Sequence, residues 1–157
     1  MTEIRLTQGN IALIDDEDFE RISQYHWCFD GRYVIANPSK PRNIIKRIYL
    51  HRLVMNTPDG FETDHINRNK LDNRKSNLRV CTHIENAQHK ITYNKYGYKG
   101  INLMKDNGRT KKWRSRIIVN TKEILLGYFS TKEKAARAYN KAATKYFGEF
   151  AILNPIV

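Results

Sequence analysis

The sequence predicts an α+β fold made of short strands, closing in a small three-stranded antiparallel sheet packed on one α-helix. Three observations lead there. The first ~50 residues hold short apolar runs broken by turn residues, which reads as a β-rich N-terminal region. Residues 62–90 read as strand, polar loop, strand, short capped helix. Beyond residue 98, three alternating runs precede one sustained helical period.

From the start, "IRLTQGNIALID" predicts two strands around the turn Gln8-Gly9-Asn10. "DDEDFERISQYHW" predicts a short helix whose first turn is crowded with acids, as the positive end of the helix dipole favours. "RYVIAN" alternates as a strand does. "NPSKP" is a loop, and "NIIKRIYLHRLVM" begins as a strand and finishes as a helical turn. "FETDHI" and "NLRVCT" are strands flanking the hydrophilic loop 67–76. In "THIENAQHK" Thr82 is the N-cap candidate, with Glu85 three residues on.

"YNKYGYKG" has the chemistry of a linker. "YKGINLM", "KWRSRIIVN" and "EILLGYF" predict three strands. On the second, Trp113, Ser115, Ile117 and Val119 share the core face, while Arg114, Arg116 and Ile118 face outward. On the third, Ile124 and Leu126 point to the core, with Glu123 and Leu125 outward. Lys105, Arg109, Lys111 and Lys112 crowd the turn between the first two strands. The final helix opens at a capping box Ser130-x-x-Glu133 and buries Ala135, Ala138, Tyr139, Ala142 and Tyr146. It stops at Gly148.

Charge divides the chain. Residues 1–60 carry 8 Lys/Arg and 8 Asp/Glu, so all of the formal net charge of +12 lies in residues 61–157. A basic half beside a neutral one points to a polyanionic partner, most often nucleic acid, against the plainer reading of a soluble basic surface. Two cysteines without a C-x-x-C argue against a zinc knuckle or a disulfide framework. No signal peptide and no apolar run of membrane-spanning length stand out. The expectation is an intracellular, cytoplasmic protein with no membrane partner and no small-molecule cofactor.

The segment richest in chemistry is "TDHINRNKLDNRKSNLR", residues 63–79. Hydrolysis of a phosphodiester needs a base to deprotonate water and a cation to stabilise charge on phosphate and leaving oxygen. The His65 imidazole has the right basicity for the first task. The Asp64 carboxylate, with an oxygen ligand such as Asn86 on the capped helix, suits a hard cation such as Mg²⁺. Neighbouring strand residues point to opposite faces, so both serve one site only where the strand bends or ends. An Asp-His pair alone occurs often by chance. The signal is its combination with an amide-rich loop, N-L-R and a capped helix bearing Asn86.

"HRLVM…TDHINRNKLDNRKSNLRVCTHIENAQ", His51 to Gln88, resembles an HNH endonuclease of the ββα-metal class, in the form found in phage and intron homing endonucleases. The resemblance implies His65 as general base, with Asp64 and Asn86 as ligands of a divalent metal, Mg²⁺ first and Mn²⁺ next. It implies Asn77 as the asparagine that hydrogen-bonds the loop backbone and holds the base in place. His51 matches an upstream histidine whose role is open between packing, phosphate contact and catalysis. Where relatives often have Gly after D-H-I-N, this chain has Arg68, a candidate phosphate contact in a turn that favours glycine.

"YKGINL…KWRSRIIVNTKEILLGYFSTKEKAARAYNKAATKYFGEFAILN", Tyr98 to Asn154, resembles an APETALA-two/ethylene-response-factor DNA-binding domain. In that family the sheet reads double-stranded DNA. Here the matched reading face is Lys99, Asn102, Arg116, Ile118, Glu123 and Leu125, with Arg114 beside it. The expected organisation is a β-rich region 1–50, an HNH module 51–92, a linker 93–97 and a DNA-binding domain 98–154. The expected function is a metal-dependent DNA endonuclease of a phage or mobile element. The alternatives are a DNA-binding regulator with an inactive nuclease remnant, and an RNA-binding or ribosome-associated basic protein.

Overall fold

The computed structural model describes residues 1–36, 47–105, 108 and 110–156. The expected loop "NPSKP", the start of "NIIKR" and Arg109 lie outside the described residues. The chain forms two compact units, Met1–His83 and Ile84–Val157.

The first unit begins with the expected hairpin. β1 (Thr2–Arg5) pairs antiparallel with β2 (Ile11–Ile14) through a turn in which Gly9 has φ 81°. The acidic stretch forms a 3-10 turn, Asp16–Asp18, leading into the short helix α1 (Phe19–Ser23). β3 (Trp27–Phe29), β4 (Val34–Ala36) and β5 (Ile48–Tyr49) form an antiparallel sheet with β4 in the centre. All three residues of β4 are buried, so "RYVIAN" does not show the alternation of a half-exposed strand. α2 (Leu50–Val54) follows β5 directly. β6 (Glu62–His65) and β7 (Leu78–Cys81) close the unit as an antiparallel pair.

One apolar cluster ties these pieces together. Ile4, Ala12, Ile14, Ile22, Trp27, Val34, Leu50, Val54 and Leu78 all belong to it. It draws on the hairpin, the central sheet, α2 and β7 at once, so the N-terminal ~50 residues and the segment after them share a core. The Trp27 indole N–H donates to the Ile22 carbonyl at 2.9 Å, which satisfies its polar edge inside that core.

The second unit holds the short helix α3 (His83–Gln88 by its own bounds) and an antiparallel sheet in the order β10-β9-β8. β8 is Ile101–Leu103, β9 Trp113–Val119 and β10 Lys122–Phe129. α4 (Lys132–Phe147) packs across one face. Ser115 and Ile117 are buried beneath it, whereas Ile118 and Leu125 are 53% and 51% exposed on the opposite face. The expected split of β9 and β10 into core and outward residues is therefore present.

Two details of α4 differ from expectation. Its N-cap is Thr131, not Ser130: the Thr131 hydroxyl accepts from the Lys134 N–H at 3.2 Å. The buried stripe is Ala135, Ala136, Tyr139, Ala142 and Ala143, while Tyr146 is 42% exposed and Phe147 packs inward instead. A cap one residue later changes which residue begins the helix. Four small alanines let the helix lie close to the sheet. Gly148 ends the helix with φ 51°.

The closing Asn154 is a staple. Its side chain accepts from the Lys99 N–H at 2.6 Å and donates to the Lys99 carbonyl at 3.0 Å, and its backbone exchanges two bonds with the Asn140 amide. Next to Lys99, Gly100 has φ 73°, and a Cβ there would lie 2.3 Å from the Tyr139 ring and 2.5 Å from the Arg116 carbonyl. Both the backbone angle and the space demand glycine.

Gly100→Ala is expected to destabilise the second unit by about 3 kcal/mol, through left-handed strain and overpacking against Tyr139. Each unit contains one tryptophan, Trp27 and Trp113. Denaturant unfolding followed by fluorescence in a Trp27→Phe background isolates the Trp113 transition and measures the loss.

Candidate active site

Asp64 and His65 end β6, and the strand turns immediately after them. The Arg68 N–H donates to the His65 carbonyl at 2.9 Å, and Arg68 itself sits at φ 65°. A left-handed non-glycine residue costs about 1 kcal/mol. The side chain placed there is a cation on an exposed turn.

The loop 67–77 is built from its amides. Asn77 Oδ1 accepts from the Asn67 N–H at 2.9 Å, and Asn77 Nδ2 donates to the Asp72 carbonyl at 2.7 Å. Asn77 thus clamps two strands of loop backbone. Asn69 and Asn67 make short local turns to the Leu71 and Asn69 N–H groups. Arg74 holds the Asp72 carboxylate with two bonds of 2.7 Å.

The His65 ring is held by a residue that the sequence did not single out. Asn73 is fully buried, and its Oδ1 lies 3.2 Å from His65 Nε2. The other half of the amide is fixed, because Asn73 Nδ2 donates to the Lys70 carbonyl at 3.2 Å. Oδ1 can only accept, so Nε2 carries the proton and Nδ1 keeps the lone pair. Lys70 Nζ stands 3.4 Å from that Nδ1, and 5.3 Å from the Tyr33 ring centroid.

Asn73 is placed in turn by the N-terminal hairpin. The Leu13 N–H donates to the Leu71 carbonyl and the Asn73 N–H donates to the Leu13 carbonyl, both at 2.8 Å. Acids of the following turn answer the loop's cations: Asp15 accepts from the Lys75 N–H at 2.7 Å, and the Lys75 ammonium meets Glu17 and Asp18.

Asp64 is 3% exposed and faces Arg79 directly across the β6–β7 pair. Arg79 Nη2 and Nε donate to Asp64 Oδ2 at 2.8 and 3.1 Å. His51 lies on α2 with its ring centroid 5.2 Å from that of His65 and 4.9 Å from Tyr33. Its Nδ1 is buried without a hydrogen-bond partner. Its ring stands directly beside that of His65.

Burial drives both histidines towards the neutral form. His65 is lowered to about 4 by desolvation first and the Lys70 charge second. His51 is lowered to about 3, again chiefly by desolvation and then by His65. Lys70 is itself lowered by its half-burial.

A hard cation takes few protein oxygens and keeps water, and Asp64 and Asn86 are the oxygen donors expected for it. Asp64 Oδ2 is engaged by Arg79. No group of three or more His, Cys, Asp or Glu gathers as a metal cage among the described residues. Asn86 lies on α3, which packs with the second unit.

Of the expected DNA-facing residues, Arg114 and Arg116 lie on the outward face of β9, and Asn102 of β8 is in register with Arg114. Lys99 does not join them. Its ammonium donates to the Gln88 and Lys90 carbonyls at 2.9 and 3.0 Å, because it precedes β8 and turns back along its own unit.

Two outcomes test this geometry. The unfolded chain protonates its histidines below their ordinary value of 6.5, while folded His51 and His65 resist. The unfolded state then binds more protons, and stability falls as pH falls. Between pH 7 and 5 each ring is expected to cost the first unit about 2 kcal/mol. A His51→Phe variant should lose roughly half of that slope in denaturant titrations read by Trp27. Separately, nitrogen NMR should find His65 in the Nε2–H tautomer, and Asn73→Ala should convert it to a mixture.

The HNH endonuclease family model matches residues 49–88. Over 150 residues the chain is 28% identical to an uncharacterized HNH endonuclease, L560, of Acanthamoeba polyphaga mimivirus, covering 95% of this chain and 77% of that protein. Over 59 residues, 36% of this chain, it is 41% identical to the AP2-like ethylene-responsive transcription factors AIL5 and PLT2 of Arabidopsis thaliana. The chain spans only a tenth of those two factors' length. No solved structure matches the chain significantly. Among the described residues, no helix is long and apolar enough to cross a membrane. Residues 49–88 thus match the HNH endonuclease family, in one chain with a segment similar to the AP2-like factors.

Proposed function

We propose that this protein is a metal-dependent endonuclease that hydrolyses phosphodiester bonds of double-stranded DNA, acting for a phage or other mobile element. The observation that carries this reading is the state of His65: neutral, in one tautomer, with the Nδ1 lone pair uncommitted except to the nearby Lys70 ammonium.

His65 is the general base, and Nδ1 takes a proton from the attacking water. Asn73 fixes which nitrogen does so. Lys70 keeps the ring neutral until that transfer and supplies positive charge beside the phosphate. Asn77 keeps the loop closed, and Arg68 on its exposed turn grips a phosphate oxygen. Asp64 and Asn86 are the oxygen ligands of a divalent cation, Mg²⁺ or Mn²⁺, in the ββα-metal arrangement that the resemblance implies. Such a cation, when bound, neutralises charge on the phosphate and the leaving oxygen. Arg79 steadies the Asp64 carboxylate. In the second unit the outward face of β8–β10, with Asn102, Arg114 and Arg116, binds the duplex and positions the cut, as β-ribbon readers do in the major groove.

The test is incubation of supercoiled plasmid with the protein and Mg²⁺, with and without EDTA. Relaxed or linear product only with free metal is expected. His65→Ala should slow cleavage by about 10²–10⁴ while gel-shift binding persists. A shifted but uncut plasmid under all metal conditions would instead identify a DNA-binding regulator. Because the base is active when neutral and its pKa is held at about 4, the rate should not fall through His65 protonation between pH 8 and 6. Asp64→Ala and Asn86→Ala should each raise the Mg²⁺ concentration needed for half-maximal cleavage. Wild-type metal dependence in both would remove them as ligands.

A further inference from the structure

The outward face of β9 and β10 carries an acid where a phosphate-binding surface has no electrostatic use for one. Glu123 is the second residue of β10 and stands in register with Ile118. Arg114 and Arg116 lie four and two residues back along β9, on the same face. Both reach along the strand to it: Arg114 Nη2 donates to Glu123 Oε1, and Arg116 Nη1 donates to Oε2. One carboxylate therefore holds two guanidinium groups, one on each oxygen. The three side chains are 27–37% exposed. The buried Nε of Arg114 has no partner, so its fork is anchored only at the tip. Exposed Ile118 and Leu125 border the group.

An ion pair this open to water adds little to stability. On a surface that meets DNA its effect is larger. The acid cancels one of two positive charges and so weakens binding to any phosphate backbone. In exchange it fixes the direction of two planar forks, each able to meet the O6 and N7 of guanine. Its own oxygens keep lone pairs that accept from the amino group of cytosine. The apolar neighbours suit thymine methyl groups.

We propose that Glu123 is a specificity-determining residue: it aims Arg114 and Arg116 at G·C pairs in duplex DNA and suppresses binding to unrelated sequence. The inference rests on the reading of this sheet as a DNA-binding face.

The experiment uses the full chain and a pool of duplexes with randomised centres, selected for binding in EDTA so that no strand is cut. The parent should enrich a motif containing G·C pairs. Glu123→Gln frees the arginines, so its affinity for random duplex should rise several-fold and its log–log salt slope should steepen by about 0.9. Its preference for the enriched motif should fall by about tenfold or more. A second variant, Arg116→Glu with Glu123→Arg, keeps a cross-strand ion pair with the charges exchanged. It should keep the parent's thermal midpoint and enrich a different motif. Glu123→Gln with unchanged motif and random-duplex affinity would overturn the proposal, as would recovery of the parent motif by the exchanged pair, since the acid would then only tie strands together. A parent that binds duplex without any motif overturns this inference alone. A parent that does not bind duplex overturns the DNA reading with it.

Discussion

Two backbone hydrogen bonds at Leu13 are the constraint on which the site depends. Through them the outer edge of β2 captures the loop at Leu71 and Asn73. That capture sets the Asn73 amide, the amide sets the His65 tautomer, and the tautomer leaves one nitrogen able to accept a proton. None of these links is strong alone; a net hydrogen bond contributes about 1 kcal/mol. Their value is in series, because each removes an alternative orientation of the next group. The N-terminal hairpin is therefore part of the site's foundation, although it contributes no side chain to the chemistry.

The electrostatics follow the same logic of restriction. A loop carrying Arg68, Lys70, Arg74 and Lys75 would repel itself. Asp72 takes Arg74, and Glu17 and Asp18 take the Lys75 ammonium, while Asp15 accepts from the Lys75 backbone N–H. Lys70 is left beside the imidazole and Arg68 on the exposed turn. The neutral N-terminal portion thus selects which of the loop's cations remain available. In the second unit Glu123 divides itself between two arginines in a comparable way.

Much of this was legible in the sequence, for identifiable reasons. Gly9, the alternation of β9 and β10, and the strand–loop–strand order around Asp64 carry local signals that tertiary contacts did not override. The α4 cap slipped from Ser130 to Thr131 because either neighbouring hydroxyl can cap a helix, and the Glu133 spacing pointed to the one the helix does not use. Tyr146 and Phe147 exchanged places because the alanine-rich stripe is broad enough to drift by one residue. Asn73 was hidden among four asparagines that look alike along the chain. Only the pairing of the loop with Leu13 distinguishes the one that meets His65. Arg79 needed the strand register to be seen opposite Asp64. The acids at 15–18 read as helix-dipole partners, since nothing local shows that a lysine 60 residues away will meet them. Lys99 looked like a sheet residue and instead closes on carbonyls just upstream.

That last kind of distance matters in time as well as in space. The contacts between Asp15 and Lys75 close a loop of chain 60 residues long, and closure of long loops costs entropy before it returns any stabilisation. Local hairpins such as β1–β2 form in microseconds, but the docking of that hairpin onto the distant loop belongs to the slow, non-local part of folding. During synthesis the first unit has emerged before the second is complete, so its histidine pocket is assembled late within the unit yet early in the life of the chain. The pocket is consequently the first feature to be lost when the hairpin undocks. Amide exchange at Asn73 would report that opening before any strand of the central sheet is exposed.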